Sequence, residues 1–123
     1  MSGEPPKIPK GSIILAWFPY TDFSKEKLRP VLVLYDGYLD VTIAYISSEI
    51  PTKLLPSDLL ILPGTASYTS AGLKEPSVLS IDKIMILDKE KTEDGILGVA
   101  DKDLKREVNA KIAQCLMFAD VPS

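Results

Sequence analysis

The sequence predicts a mainly β domain: a small barrel of six to seven mostly antiparallel strands with one C-terminal α-helix. Three observations predict it. Short runs of β-branched and aromatic residues recur from Ser12 to Ala100. Turn formers separate them, among them Asp36-Gly37 and Pro63-Gly64. Sustained helical spacing of apolar residues follows Asp101.

Residues 1–10 hold Pro5, Pro6 and Pro9 without periodicity and read as a flexible arm before a domain over 11–119. Ser12 to Phe18 is a short apolar run between Gly11 and Pro19, suited to a strand buried on both faces, with Trp17 in the core. Residues 19–28 read as a long polar loop. Arg29-Pro30 opens the next strand, Val31 to Tyr35, where a proline at the start is tolerated. Asp36-Gly37 turns the chain into a third strand, Leu39 to Ser47. After a loop over 48–57 comes a short strand, Asp58 to Leu62. Residues 65–72 are small and polar and allow one helical turn. Ser77 to Ile81 and Lys83 to Leu87 make one bent strand or two short ones, and Ile96 to Ala100 a last strand. Asp101 is an N-cap for a helix over 102–119. Leu104, Val108, Ile112, Cys115, Leu116 and Ala119 share its apolar face, so Cys115 reads as a small hydrophobe.

The chain has 123 residues, 46% of them hydrophobic and 25% charged, as expected of one soluble domain. The single cysteine excludes an intrachain disulfide and fits a reducing compartment. No apolar run approaches a membrane span, and the polar N-terminus has no signal-peptide core; a cytoplasmic protein is expected. Histidine is absent, which removes the commonest acid–base group and the commonest transition-metal ligand; no metal and no cofactor is expected. The acidic residues Asp82, Asp88, Glu90, Glu93 and Asp94 match no calcium loop and read as a solvated turn. The net charge of -3 runs against the basic footprint usual in nucleic-acid binders, so a local basic patch becomes the feature to seek. Lys25, Lys27 and Arg29 supply one, flanked by Tyr20 and Phe23, which either stack on bases or anchor the loop.

Three segments form a set. The first is Gly11-Ser-Ile-Ile-Leu-Ala-Trp-Phe-Pro-Tyr-Thr-Asp. The second is Arg29-Pro-Val-Leu-Val-Leu. The third is Ile43-Ala-Tyr-Ile-Ser-Ser, followed downstream by Gly72-Leu-Lys-Glu-Pro-Ser-Val-Leu-Ser-Ile-Asp-Lys-Ile-Met-Ile-Leu-Asp-Lys. In this order and spacing, over about residues 11–118, the chain resembles the PemK/MazF toxin family. The resemblance implies an SH3-like barrel of the CcdB/PemK type. It implies a homodimer that cuts single-stranded RNA through the substrate's own 2′-hydroxyl, blocked by an antitoxin protein bound on the same face. It implies catalytic roles for Arg29 and for Ser47. Tyr20, Thr21, Lys25, Lys27 and Ser48 would contact substrate, with the loop over 19–28 closing on RNA. Two departures stand out: the loop reads Phe23-Ser-Lys-Glu-Lys-Leu where the family often carries a Gly-Ser-Glu-like stretch, and serine replaces the usual threonine at 47.

The residues support a role in such chemistry by their own nature. Transesterification needs proton removal, stabilisation of phosphoryl charge, and help for the departing 5′ oxygen. Without histidine, a two-histidine mechanism is excluded. Arginine offers a rigid fork of donors to phosphate oxygens, and a serine hydroxyl both donates and accepts. The family also implies a proton-transfer role for Arg29, but a guanidinium with a pKa above about 12 suits a clamp better than a base. From spacing alone Arg29 equally reads as a surface arginine and Ser47 as structural. Two alternatives stay open: a catalytically inactive member retained as a protein-binding module, and a CcdB-type topoisomerase poison. The latter type depends on a tryptophan near its C-terminus, whereas here the only one is Trp17.

Overall fold

Alternating apolar residues build six antiparallel strands in one curled sheet, of order β4-β5-β3-β2-β1-β6. The computed structural model describes residues 3–19 and 26–121. The strands are β1 (Ser12–Pro19), β2 (Glu26–Asp36), β3 (Asp40–Ser47), β4 (Asp58–Ile61), β5 (Ser77–Asp88) and β6 (Gly98–Val99). Helix α1 (Ala66–Ala71) follows β4, a 3-10 turn covers Lys89–Lys91, and helix α2 (Lys102–Cys115) follows β6.

The curl makes the barrel. β1 pairs with β2, β2 with β3, and β3 with β5. The chain then leaves β5 through the 3-10 turn and returns to β1, where Thr92 bridges Ala16 and the Glu93 amide donates to the Leu15 carbonyl at 2.9 Å. This ring encloses Ile14, Ala16, Phe18, Val31, Val33, Val41, Ile43 and Leu87. The opposite face of the same strands packs a second core. Ile13, Leu32, Ala44 and Ile46 meet β4, α1 and α2 through Leu59, Ile61, Ala71, Leu104 and Val108. Each fully buried isoleucine here contributes about 1.5–3 kcal/mol. Two apolar faces explain why Ser12 to Phe18 reads as an unbroken hydrophobic run.

Several expected boundaries move. β2 starts at Glu26 rather than Val31, so residues 26–28 extend a ribbon with β1. Pro30 therefore sits inside a strand, opposite Leu15. It is accommodated because β2 pairs with β3 only from Val31 onward, leaving one side without a ladder. Of the two readings of 77–87, one bent strand is what forms: β5 runs from Ser77 to Asp88 and kinks where its register with β3 shifts between Ala44 and Tyr45. The expected last strand shrinks to Gly98–Val99. α2 stops at Cys115 instead of 119, and Leu104 and Val108 are its buried residues. Cys115 is exposed, since α2 packs on the core through Leu104, Val108 and Ile112, before its last turn. Trp17 is half-buried, not core: its indole N–H donates to Glu93 Oε2 at 2.9 Å.

Residues 3–9 have no regular secondary structure, yet Ile8 is buried against the barrel interior and its amide donates to Asp36 Oδ2 at 3.3 Å. Lys89 holds this segment from below. Its ammonium lies 2.8 Å from Asp36 Oδ1 and donates to the Pro6 carbonyl at 2.7 Å. The Lys89 hydrogen bond holds the Asp36 carboxyl below its ordinary range, against the opposing effect of desolvation. A lowered folded value means that the stabilisation is present above the ordinary pKa and is lost as pH falls through the lowered one. Lys89→Met should therefore cost about 2 kcal/mol at neutral pH. That is less than the roughly 3–5 kcal/mol of a fully buried pair, because Asp36 keeps 24% exposure. Thermal melts from pH 7 down to acid values check it: the gap between the two proteins should narrow as the carboxyl protonates.

Candidate functional site

Beyond Val31 and Tyr45 the β2 and β3 strands part. β1 and β2 run on together to Pro19 and Glu26, while β3 turns away with β5 to end at Ser47, opposite Val78. The result is a fork at one mouth of the barrel. Arg29 lies two residues before Val31 on β2 and Ser47 two residues after Tyr45 on β3, so each stands on its own arm of the fork. Opposed residues on antiparallel strands point to the same face. Arg29 pairs with Ala16, and Lys27 with Phe18, so both lie on the face of the barrel interior, at its rim. The two positions predicted from sequence to act together thus share one edge of the molecule.

The local bonding suits the roles expected of them. Ser47 Oγ accepts the Glu49 amide at 3.0 Å, a short turn that fixes the hydroxyl at the strand end. Accepting with one lone pair leaves its hydrogen to donate. This anchor partly replaces the stiffness a threonine would bring through its branched Cβ. Behind the rim, Phe18 and Tyr45 pack edge-to-face with centroids 5.4 Å apart, closing the interior below Arg29. Lys27 is exposed and adds positive charge to the same rim. Ser48 is exposed and, one residue on from Ser47, lines the cleft beside the fork. Tyr20, Thr21 and Lys25 lie outside the described residues, as do Phe23 and the centre of the loop expected to close on substrate.

The fork opens into a cleft of about 250 Å³. Leu28, Arg29 and Pro30 line it from β2, and Ile46 and Ser48 from β3. The segment between α1 and β5 forms its far wall with Gly72, Leu73, Lys74, Glu75 and Ser77. That wall is rigid for local reasons. Gly72 ends α1 in the left-handed region at φ 73°, and Ser77 Oγ donates to the Glu75 carbonyl at 2.8 Å. Lys74 and Glu75 share this cleft with Arg29 through the fold alone, a proximity that no linear pattern carries. A larger groove of about 460 Å³ runs between β2 and α2, along Leu32, Leu34, Lys105, Val108 and Ile112, and contains none of the predicted residues.

The acidic residues over 82–94 have structural work. Asp88 caps the 3-10 turn, Glu93 holds Trp17, and Asp82 lies 3.6 Å from Lys83. Among the described residues no group of three or more cysteine, aspartate and glutamate side chains is placed to hold a metal ion.

Comparisons with known proteins agree with the fold. The family model described as PemK-like, MazF-like toxin of type II toxin-antitoxin system matches residues 9–116. No curated protein sequence matches. Among solved structures, MazF of Deinococcus radiodurans superposes with a TM-score of 0.65 at 21% identity, covering 91% of this chain and 98% of its own. The Mycobacterium tuberculosis toxin MazF-mt6 gives 0.64 at 21% identity, over 84% and 93%. An endoribonuclease in complex with its cognate antitoxin, from a mycobacterial species, gives 0.64 at 17% identity, over 87% and 92%.

Proposed function

Because the chain belongs to the PemK-like, MazF-like family of type II toxins, we propose that it is a metal-independent endoribonuclease that cuts single-stranded RNA. The observation that supports the reading is that Arg29 on β2 and Ser47 at the end of β3 stand on the two arms where those strands diverge. A backbone phosphate seated there receives the guanidinium donors on its non-bridging oxygens. The neighbouring 2′-oxygen attacks phosphorus as its proton passes to solvent, and the bond to the 5′ oxygen breaks. Ser47 donates its hydrogen bond to that departing oxygen, which takes up a proton. The products are a 2′,3′-cyclic phosphate and a free 5′-hydroxyl. Arg29 stabilises the charge that builds on the phosphoryl oxygens, where one preorganised donor supplies about 10²–10³ in rate.

Lys27 and the exposed side of the fork admit a strand rather than a duplex, since the bases need to splay to reach the cleft. In this reading the protein is a homodimer, as the family resemblance implies, and an antitoxin peptide covers the same rim. No described helix is long and apolar enough to cross a membrane, in keeping with action on RNA in the cytoplasm. Incubating the purified protein with a long single-stranded RNA, in the presence of EDTA, and mapping the ends tests the proposal. Discrete cuts that leave cyclic phosphates are the expected result. Intact RNA at high protein concentration would instead leave a binding module on the toxin fold.

A further inference from the structure

The cleft beside Arg29 is more than the margin of the scissile site. Leu28, Pro30, Ile46 and Leu73 give it an apolar floor, while Arg29, Ser48, Lys74 and Glu75 ring its mouth. At about 250 Å³ it has room for a nucleobase. Both Lys74 and Glu75 are exposed and line the same cavity from successive positions. Successive positions on the wall of an apolar cleft thus carry an ammonium and a carboxylate. The Gly72 cap and the Ser77-to-Glu75 hydrogen bond fix the backbone that carries them.

We propose that this cleft binds a single guanine of the RNA strand, with the Glu75 carboxylate and the Lys74 ammonium reading its Watson–Crick edge. The inference rests on the RNA-cleaving reading above and adds the base that flanks the cut. Guanine is the base whose edge meets the ammonium and both carboxylate oxygens at once. Its N1–H and N2–H are adjacent donors that meet both oxygens of a carboxylate, and its O6 accepts from an ammonium beside them. Adenine and cytosine present one amino donor beside a ring-nitrogen acceptor, and uracil one imino donor between two keto oxygens, so each satisfies one carboxylate oxygen at most. Arg29 lines the cleft and reaches the fork, so the base held here belongs to a nucleotide next to the scissile phosphate. Single-stranded RNA is suited to such reading because its unstacked bases expose these edges.

Binding to RNA that cannot be cut tests the inference apart from catalysis. The probes are fluorescent 2′-O-methyl heptanucleotides, degenerate in A, C and U except for one central guanosine, and the same oligomers with inosine there. Inosine keeps N1–H and O6 but lacks the N2 amine. Wild-type protein should bind the guanosine pool about 10-fold more tightly than the inosine pool. Glu75→Gln, an isosteric change at an exposed site, should bind both pools alike, near the level of wild type with inosine. Lys74→Met should weaken both pools equally, because both retain O6. Equal binding of the two pools by the wild-type chain, or a guanosine preference that survives Glu75→Gln, overturns the inference. Guanosine-dependent binding without cleavage of ordinary RNA would leave the inference standing and remove the ribonuclease reading. Cleavage without guanosine dependence would do the reverse.

Discussion

Arg29→Ala should lower the rate of RNA cleavage by about 10²–10³ while leaving the fold intact. Arg29 is half-buried at the strand rim, where its β2 backbone is held by pairing with Ala16 rather than by its side chain. Truncation removes the guanidinium proposed to meet the phosphate oxygens and keeps the backbone pairing of β2 with β1. Arg29→Lys keeps the charge but replaces a planar, two-pronged donor with a single point, so it should recover only a small part of the rate. Single-turnover cleavage of a defined RNA, run beside far-ultraviolet circular dichroism, separates this loss from unfolding. Unchanged cleavage in the alanine variant would remove Arg29 from the reaction.

Gly98→Ala should be among the most damaging single-methyl changes at the described glycines, at roughly 3 kcal/mol or more. A Cβ at Gly98 would lie 2.3 Å from the backbone carbon and oxygen of Ala71 and 2.4 Å from the Ser70 carbonyl oxygen. These are backbone atoms that no side-chain rotation can move. The close approach is where the end of α1 meets β6, and Ser70 Oγ donates to the Val99 carbonyl at 2.7 Å in the same junction. α1 bridges the two free edges of the sheet, β4 and β6, so the junction stands in for a ladder between them. It also places Gly72 and Leu97, which line the site cleft. Gly64→Ala is the matching control. Gly64 has a φ of 91° but nothing within 4 Å of an added Cβ, so its cost should be limited to about 1–2 kcal/mol of backbone strain. Urea titrations of the two variants should differ accordingly, and equal midpoints would contradict the packing described for β6.

Much of this architecture was legible in the residues themselves. β-branched runs and the Asp36-Gly37 turn placed the central strands, because a hairpin's local chemistry is self-contained. Asp101 announced α2: its Oδ1 accepts the Leu104 amide at 2.9 Å. What the residues hid was set by distant partners. α2 packs on the core through Leu104, Val108 and Ile112, before its last turn, so Cys115 kept its apolar spacing but lost its cover. Pro30 looked like a strand start because a proline inside a strand needs an unpaired side, and only the divergence of β2 from β3 supplies one. Trp17 found Glu93 across 76 positions of chain, a contact no local pattern carries. The site divides the same way. Arg29 and Ser47 were visible through the family resemblance, whereas Lys74 and Glu75 came into view only once folding carried their loop to the fork.

The most direct test of a phosphodiester held between Arg29 and Ser47 is nuclear magnetic resonance of the labelled protein, titrated with a single-stranded RNA blocked by 2′-O-methylation. The side-chain Nε–H of Arg29 and the amides of residues 27–31 and 46–48 should show the largest shift changes. Changes centred on the β2–α2 groove, at Lys105 and Asn109, with the fork residues unmoved, would contradict it.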